Sequence, residues 1–183
     1  MPTVIIILVV VALIAVYFVA TYNGLIRSRN LVRDQWSQID VQLKRRFDLI
    51  PNLVETVKGY VKHEEETLES VIKARNTFLV AETPEQEMAS SNQLTSALSK
   101  LFALSEAYPD LKANTNFMDL QSELSETEDK IASARQFYND TVMQYNNKVE
   151  MFPSSIVANM FKFVKEKFFE AVTEERENVK VQF

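Results

Sequence analysis

Residues 3–20, TVIIILVVVALIAVYFVA, contain no charged side chain. At about 1.5 Å per residue the run makes a helix of roughly 27 Å, close to the hydrocarbon thickness of a bilayer. In lipid every backbone N–H and C=O must be satisfied within the segment, so a single span of this kind has to be helical. A cleaved signal peptide fits the run less well. The cationic leading region is missing, the apolar stretch is long, and no small-x-small pattern occurs near Ala20. Residues 1–22 are therefore read as an uncleaved anchor, with Tyr17, Phe18 and Tyr22 as an aromatic belt at its end. No Lys or Arg precedes the run, whereas Arg27, Arg29 and Arg33 follow it. The positive-inside rule then puts the bulk of the chain in the cytoplasm.

Beyond the anchor, apolar residues recur every three or four positions: Val32, Trp36, Ile39, Leu43 and Ile50, then Leu53, Val57, Val71 and Phe78. That period marks one buried face of a helix. With only 2 Gly and 5 Pro there is little material for tight turns, which fits an all-α chain. A third helix is announced by Thr83-Pro84-Glu85-Gln86, a capping box with proline at the first helical position. A fourth stripe runs from Phe117 through Leu124, Ile131, Tyr138 and Tyr145, with Asn114 or Asn116 as its cap.

The stretch KRRFDLIPNL, residues 44–53, interrupts this pattern with a proline. Asp48 as an N-cap with Pro51 in the following first turn predicts a corner between two helices, the three cations facing the negative end of the incoming helix dipole. The unbroken stripe leaves a continuous, kinked helix as the alternative. The expected architecture is an N-terminal transmembrane helix, an antiparallel four-helix bundle over residues 23–152, and a Phe-rich amphipathic helical extension over residues 153–183. In that extension Ile156, Met160, Phe161, Val164 and Phe168 fall on one side. They suit packing against the bundle or a neighbouring copy, or a second membrane contact. The closing VKVQF suits a strand or disorder.

Chemistry is hard to find. There is no Cys, so thiolate metal sites are excluded. The single histidine, in HEEET, lacks the second imidazole that a zinc helix needs, and a di-iron bundle needs two Glu-x-x-His motifs. With Gly24 and Gly59 as the only glycines, no phosphate loop can be built. No catalytic, metal or cofactor-binding residue is assigned, and none is needed for the reading that follows. A net charge of -5 argues against nucleic acid as a partner. Polar residues do fall where the stripes expect apolar ones. Buried Arg and Asn must find partners or cost several kcal/mol. An interhelical polar network of Arg29, Asn30, Arg46, Arg75, Arg135 and Asn139 is therefore expected. Gly24, just past the anchor, suggests close helix packing or a hinge.

The strings YNGLIRSRNLV, WSQIDVQLKRRFDLIPNLVETVKGYVKHEEETLESVIKARN and AYPDLKANTNFMDLQSELSETEDKIASARQFYNDTVMQYNNKVEMFPSSIVA resemble the LemA family. The likeness covers nearly the whole chain and is weakest over residues 79–100 and after Ala171. It implies a bacterial single-pass membrane protein with a four-helix bundle and no established enzymatic activity, and suggests an association with membrane-bound proteases. Arg45, Asp48, Pro51, Glu55, Gly59 and His63 match the motif and are candidates for an interaction surface. The expected function is a membrane-anchored scaffold or adaptor that self-associates or binds a membrane-protein partner. A lipid- or small-ligand-binding module in the bundle is the alternative.

Overall fold

A computed structural model of the chain describes residues 2–61 and 64–169. It contains α1 (Pro2–Lys58), α2 (Glu65–Leu79), α3 (Pro84–Ser105), the single turn α4 (Pro109–Lys112), α5 (Thr115–Glu150) and α6 (Ser154–Met160). No strand occurs among the described residues. The fold is all-α, with one N-terminal helix long and apolar enough to cross a membrane.

Two compact units share the long helices. One comprises Gln38–Arg135 with Phe169, and here the four-helix core lies. Ile39, Leu43, Phe47, Ile50, Leu53 and Val57 of α1 are buried with Val71 and Phe78 of α2. Leu94, Leu98 and Leu101 of α3 join them, as do Phe117, Leu124 and Ile131 of α5. Phe47 stacks on Phe78 with ring centroids 3.9 Å apart, and Phe102 meets Phe117 edge-on at 6.3 Å. These pairs tie α1 to α2 and α3 to α5.

The other unit comprises the chain up to Ser37 with Gln136–Phe168. Its core is smaller: Leu25 and Val32 of α1, Val142 and Tyr145 of α5, Val157 and Ala158 of α6, and Phe163. Trp36 packs edge-on against Tyr138 at 5.6 Å. Among the described residues none before Leu25 belongs to the buried core, and the large apolar side chains from Val4 to Val19 stand exposed along α1, save the half-buried Phe18. The helix continues through Gly24, and a Cβ built there meets nothing within 4 Å. Close packing at that glycine is therefore not present among the described residues.

Several local expectations are met. Thr83 and Gln86 form the capping box, and Pro84 opens α3. The Asn114 side chain accepts the Phe117 N–H at 3.0 Å and caps α5. The corner at Pro51 is not met: α1 runs through Pro51 to Lys58. An interior proline costs about 3 kcal/mol, but each large apolar side chain buried beyond it returns about 1.5–3 kcal/mol. Leu53, Val54 and Val57 all lie beyond it on the buried face. Pro51 itself is exposed, on the side of α1 away from the buried stripe. Asp48 accordingly lies inside the helix rather than capping one, and Lys44 pairs with Asp40 one turn back at 2.6 Å.

Among the described residues of the extension, only Ser154–Met160 are helical. The α6 helix ends in a Schellman motif: Phe163 N–H donates to the Ala158 carbonyl at 2.9 Å and Lys162 N–H to Asn159 at 3.3 Å. Lys162 holds the left-handed position at φ 56, where glycine would be at ease. From Phe163 to Phe169 the chain is not helical. The VKVQF segment lies outside the described residues.

Candidate functional site

In the four-helix unit, Arg46 occupies a stripe position on α1 and is 2% exposed. Its Nη1 lies 2.7 Å from Glu128 Oε2 on α5 and donates to Thr95 Oγ1 on α3 at 3.1 Å. The contact with Glu128 is an ion pair by distance, and that carboxylate oxygen accepts no aligned hydrogen bond. Thr95 in turn donates back to the Ser91 carbonyl at 3.1 Å. Burial lowers the Arg46 pKa, the Glu128 charge pulls it back up, and Arg135 adds to the lowering. A guanidinium does not deprotonate in practice, so the charge stays, and the ion pair to α5 with the hydrogen bond to α3 links three helices. Arg46 Nε is buried without a hydrogen-bond partner. Beside it lies a cavity of about 500 Å³, lined by Arg46, Thr95, Phe102, Gln121, Ser125 and Glu128 among others.

In the other unit, the segment after α6 is held by side chains of α5 that bind its backbone. Tyr145 Oη donates to the Val164 carbonyl at 2.8 Å, and Tyr138 Oη to the Lys167 carbonyl at 3.0 Å. Asn146 grips Glu166 twice: its Nδ2 donates to the Glu166 carbonyl and its Oδ1 accepts the Glu166 N–H, both at 2.9 Å. Phe163 sits under the Arg29 guanidinium at 5.1 Å and beside the Tyr22 ring at 5.8 Å. Burial raises the Tyr145 hydroxyl pKa, reinforced by Glu166, so it remains a donor. An extended backbone has no internal partners for its N–H and C=O groups. Here the side chains of α5 supply them.

The residues expected to form one polar network take different places. Arg46 is buried as described, and Arg135 lies over the Phe169 ring at 4.4 Å in the same unit. Arg75 is half-buried, its Nε without a hydrogen bond. Arg29 and Asn139 belong to the other unit, where Asn139 is half-buried and Asn30 is exposed. Of the motif residues, Arg45, Asp48, Pro51 and Glu55 are exposed and spaced three or four apart on α1, so they share its outward face. Gly59 is exposed just past its end. His63 lies outside the described residues.

The backbone-gripping residues Tyr138, Tyr145 and Asn146 were not singled out for this role by the sequence. A signal was present. The pair Tyr-Asn recurs at 138–139 and 145–146, seven residues or about two helical turns apart, which stacks both pairs on one face. A tyrosine in a buried stripe also needs a partner for its hydroxyl. Among the described residues no three metal-ligating side chains come together.

The model of the LemA family matches residues 35–183. Protein LemA of Metamycoplasma hominis is 29% identical over 165 residues, spanning 88% of this chain and 74% of the relative. Two magnetosome proteins, MamQ 1 and MamQ 2 of Paramagnetospirillum magneticum, are each 23% identical over 193 aligned positions, spanning 89% of this chain and 71% of theirs. A family model that matches residues 35–183, well over half of the chain and including the Arg46 core and the grip on the extension, means that the protein belongs to the LemA family.

Proposed function

We propose that this chain is a single-pass anchor for a helical scaffold, set on the cytoplasmic side of a bacterial membrane and carrying no reaction of its own. The observation that carries the reading is α1. One helix begins as a charge-free span and, with no intervening loop, supplies Ile39 to Val57 to the bundle core. A domain that only needed tethering would tolerate a flexible linker there. The basic residues Arg27, Arg29 and Arg33 after the span support the cytoplasmic orientation.

The partner is a second copy of the chain or another membrane protein, which the scaffold meets through the outward face of α1 bearing Arg45, Asp48 and Glu55. Light scattering on the full chain in detergent tests self-association, and crosslinking in native membranes tests recruitment. A strict monomer that captures no membrane protein would contradict the scaffold. The cavity beside Arg46 favours one second reading, a small-ligand module, because its lining offers a guanidinium, hydroxyls and an aromatic ring together. Native mass spectrometry of the purified chain separates the two: a stoichiometric retained molecule favours the module.

A further inference from the structure

We propose that the corner between α5 and α6, together with α6, is a second membrane contact that dips into the interfacial layer beside the α1 span. The proposal rests on the reading of residues 3–20 as that span. Residues 151–161, MFPSSIVANMF, contain no charge. Five large apolar side chains in this stretch are turned outward: Met151 is 61% exposed, Phe152 79%, Ile156 48%, Met160 59% and Phe161 52%. The α6 helix buries only Val157 and Ala158 against its own unit, which leaves Ile156 and Met160, one turn apart, on the open side. An apolar cluster of this density on a small protein marks a partner or a membrane.

The position favours a membrane. The Phe161 ring lies 4.7 Å, centroid to centroid, from the ring of Tyr22. Tyr22 stands two residues past the end of the apolar run 3–20, roughly 3 Å along the helix axis. The corner is therefore level with the aromatic girdle of the span, where apolar and aromatic side chains partition into the headgroup region. Charges resume immediately outside it, at Glu150 on one side and Lys162 on the other. Lys162 is exposed and suited to anionic headgroups. The corner is also held from both ends, since α5 leads into it and the grip of Tyr145 and Asn146 on residues 164–166 fixes the exit. A fixed apolar corner beside the span would set the rotation of α1 about its own axis relative to the membrane plane, which a single span alone leaves free.

The absence of cysteine makes the test direct. Single substitutions Phe152→Cys and Met160→Cys in the full chain would each carry an environment-sensitive fluorophore. Val11→Cys reports the span and Gln93→Cys an exposed position on α3. The chains are reconstituted in phosphatidylcholine–phosphatidylglycerol vesicles containing brominated lipid. The expected result is blue-shifted emission at 152 and 160, quenching by brominated lipid, and loss of quenching by aqueous iodide relative to position 93. Iodide access at 152 and 160 equal to that at 93, with position 11 still quenched by lipid, overturns the corner while leaving the span intact. Shielding from iodide without lipid quenching overturns it in favour of a contact with another copy or protein. Failure of lipid quenching at position 11 removes the span and the proposal with it.

Discussion

Arg46 cannot shed its proton when folding buries it, so its partners have to come to it. The ion pair with Glu128 and the bond to Thr95 meet that demand from two other helices. Removing the cation alone leaves a partly buried carboxylate and a void. Arg46→Ala should cost about 3 kcal/mol, the low end for breaking a buried pair because Glu128 is 30% exposed. The double variant Arg46→Met with Glu128→Leu should recover most of that loss in urea melts. Equal destabilisation by the double variant would show that the charge pair itself is indispensable. Glu87 has the opposite problem: burial raises its pKa, the nearby Asp40 raises it further, and Lys44 only partly offsets them. A carboxyl whose pKa is raised on folding binds its proton more tightly in the native state, so stability falls as pH rises through the window above the ordinary carboxylate value. Glu87→Gln should therefore raise the melting temperature at neutral pH, with the gain vanishing on acidification. A gain that persists in acid would assign it to something other than charge. At this scale the sequence was partly legible. Arg46 announced itself by standing in an apolar stripe, but Thr95 and Glu128 lie 49 and 82 positions further along, and helical period says nothing about which helices will meet.

Helix boundaries were read well where local chemistry decides them and poorly where tertiary packing does. The capping box at Thr83 is local, involving Gln86 three residues on, and α3 begins where it says. Pro51 is also a local signal, but the stripe that continues through Leu53 and Val57 outweighs it. Replacing it then becomes informative. Pro51→Ala should stabilise by about 2 kcal/mol, the interior cost of proline less the chain entropy it removes from the unfolded state. Were position 51 in a first turn, the same change would be neutral or harmful in a thermal melt. The extension was misread for a related reason. Its apolar spacing suits a helix, yet Lys162 turns left-handed and the backbone beyond finds its partners on α5. Asn146→Ala removes both hydrogen bonds to Glu166 and should cost about 1–3 kcal/mol while exposing residues 163–168 to limited proteolysis. Unchanged cleavage would mean the segment is held by Phe163 and the tyrosines alone.

For the molecule as a whole, the all-α fold and the apolar start were readable from period and composition, because both depend on patterns longer than any single contact. The proposed function rests on the same patterns: an apolar start, a bundle, and one helix that runs through both. Since the buried core begins at Leu25, the bundle should fold without the first 22 residues. Alkaline carbonate extraction of membranes expressing the full chain and a 1–22 deletion tests this most directly. The account predicts that the full chain stays in the membrane pellet, while the deleted chain is soluble and keeps its helical melting transition. Release of the full chain by carbonate would contradict it.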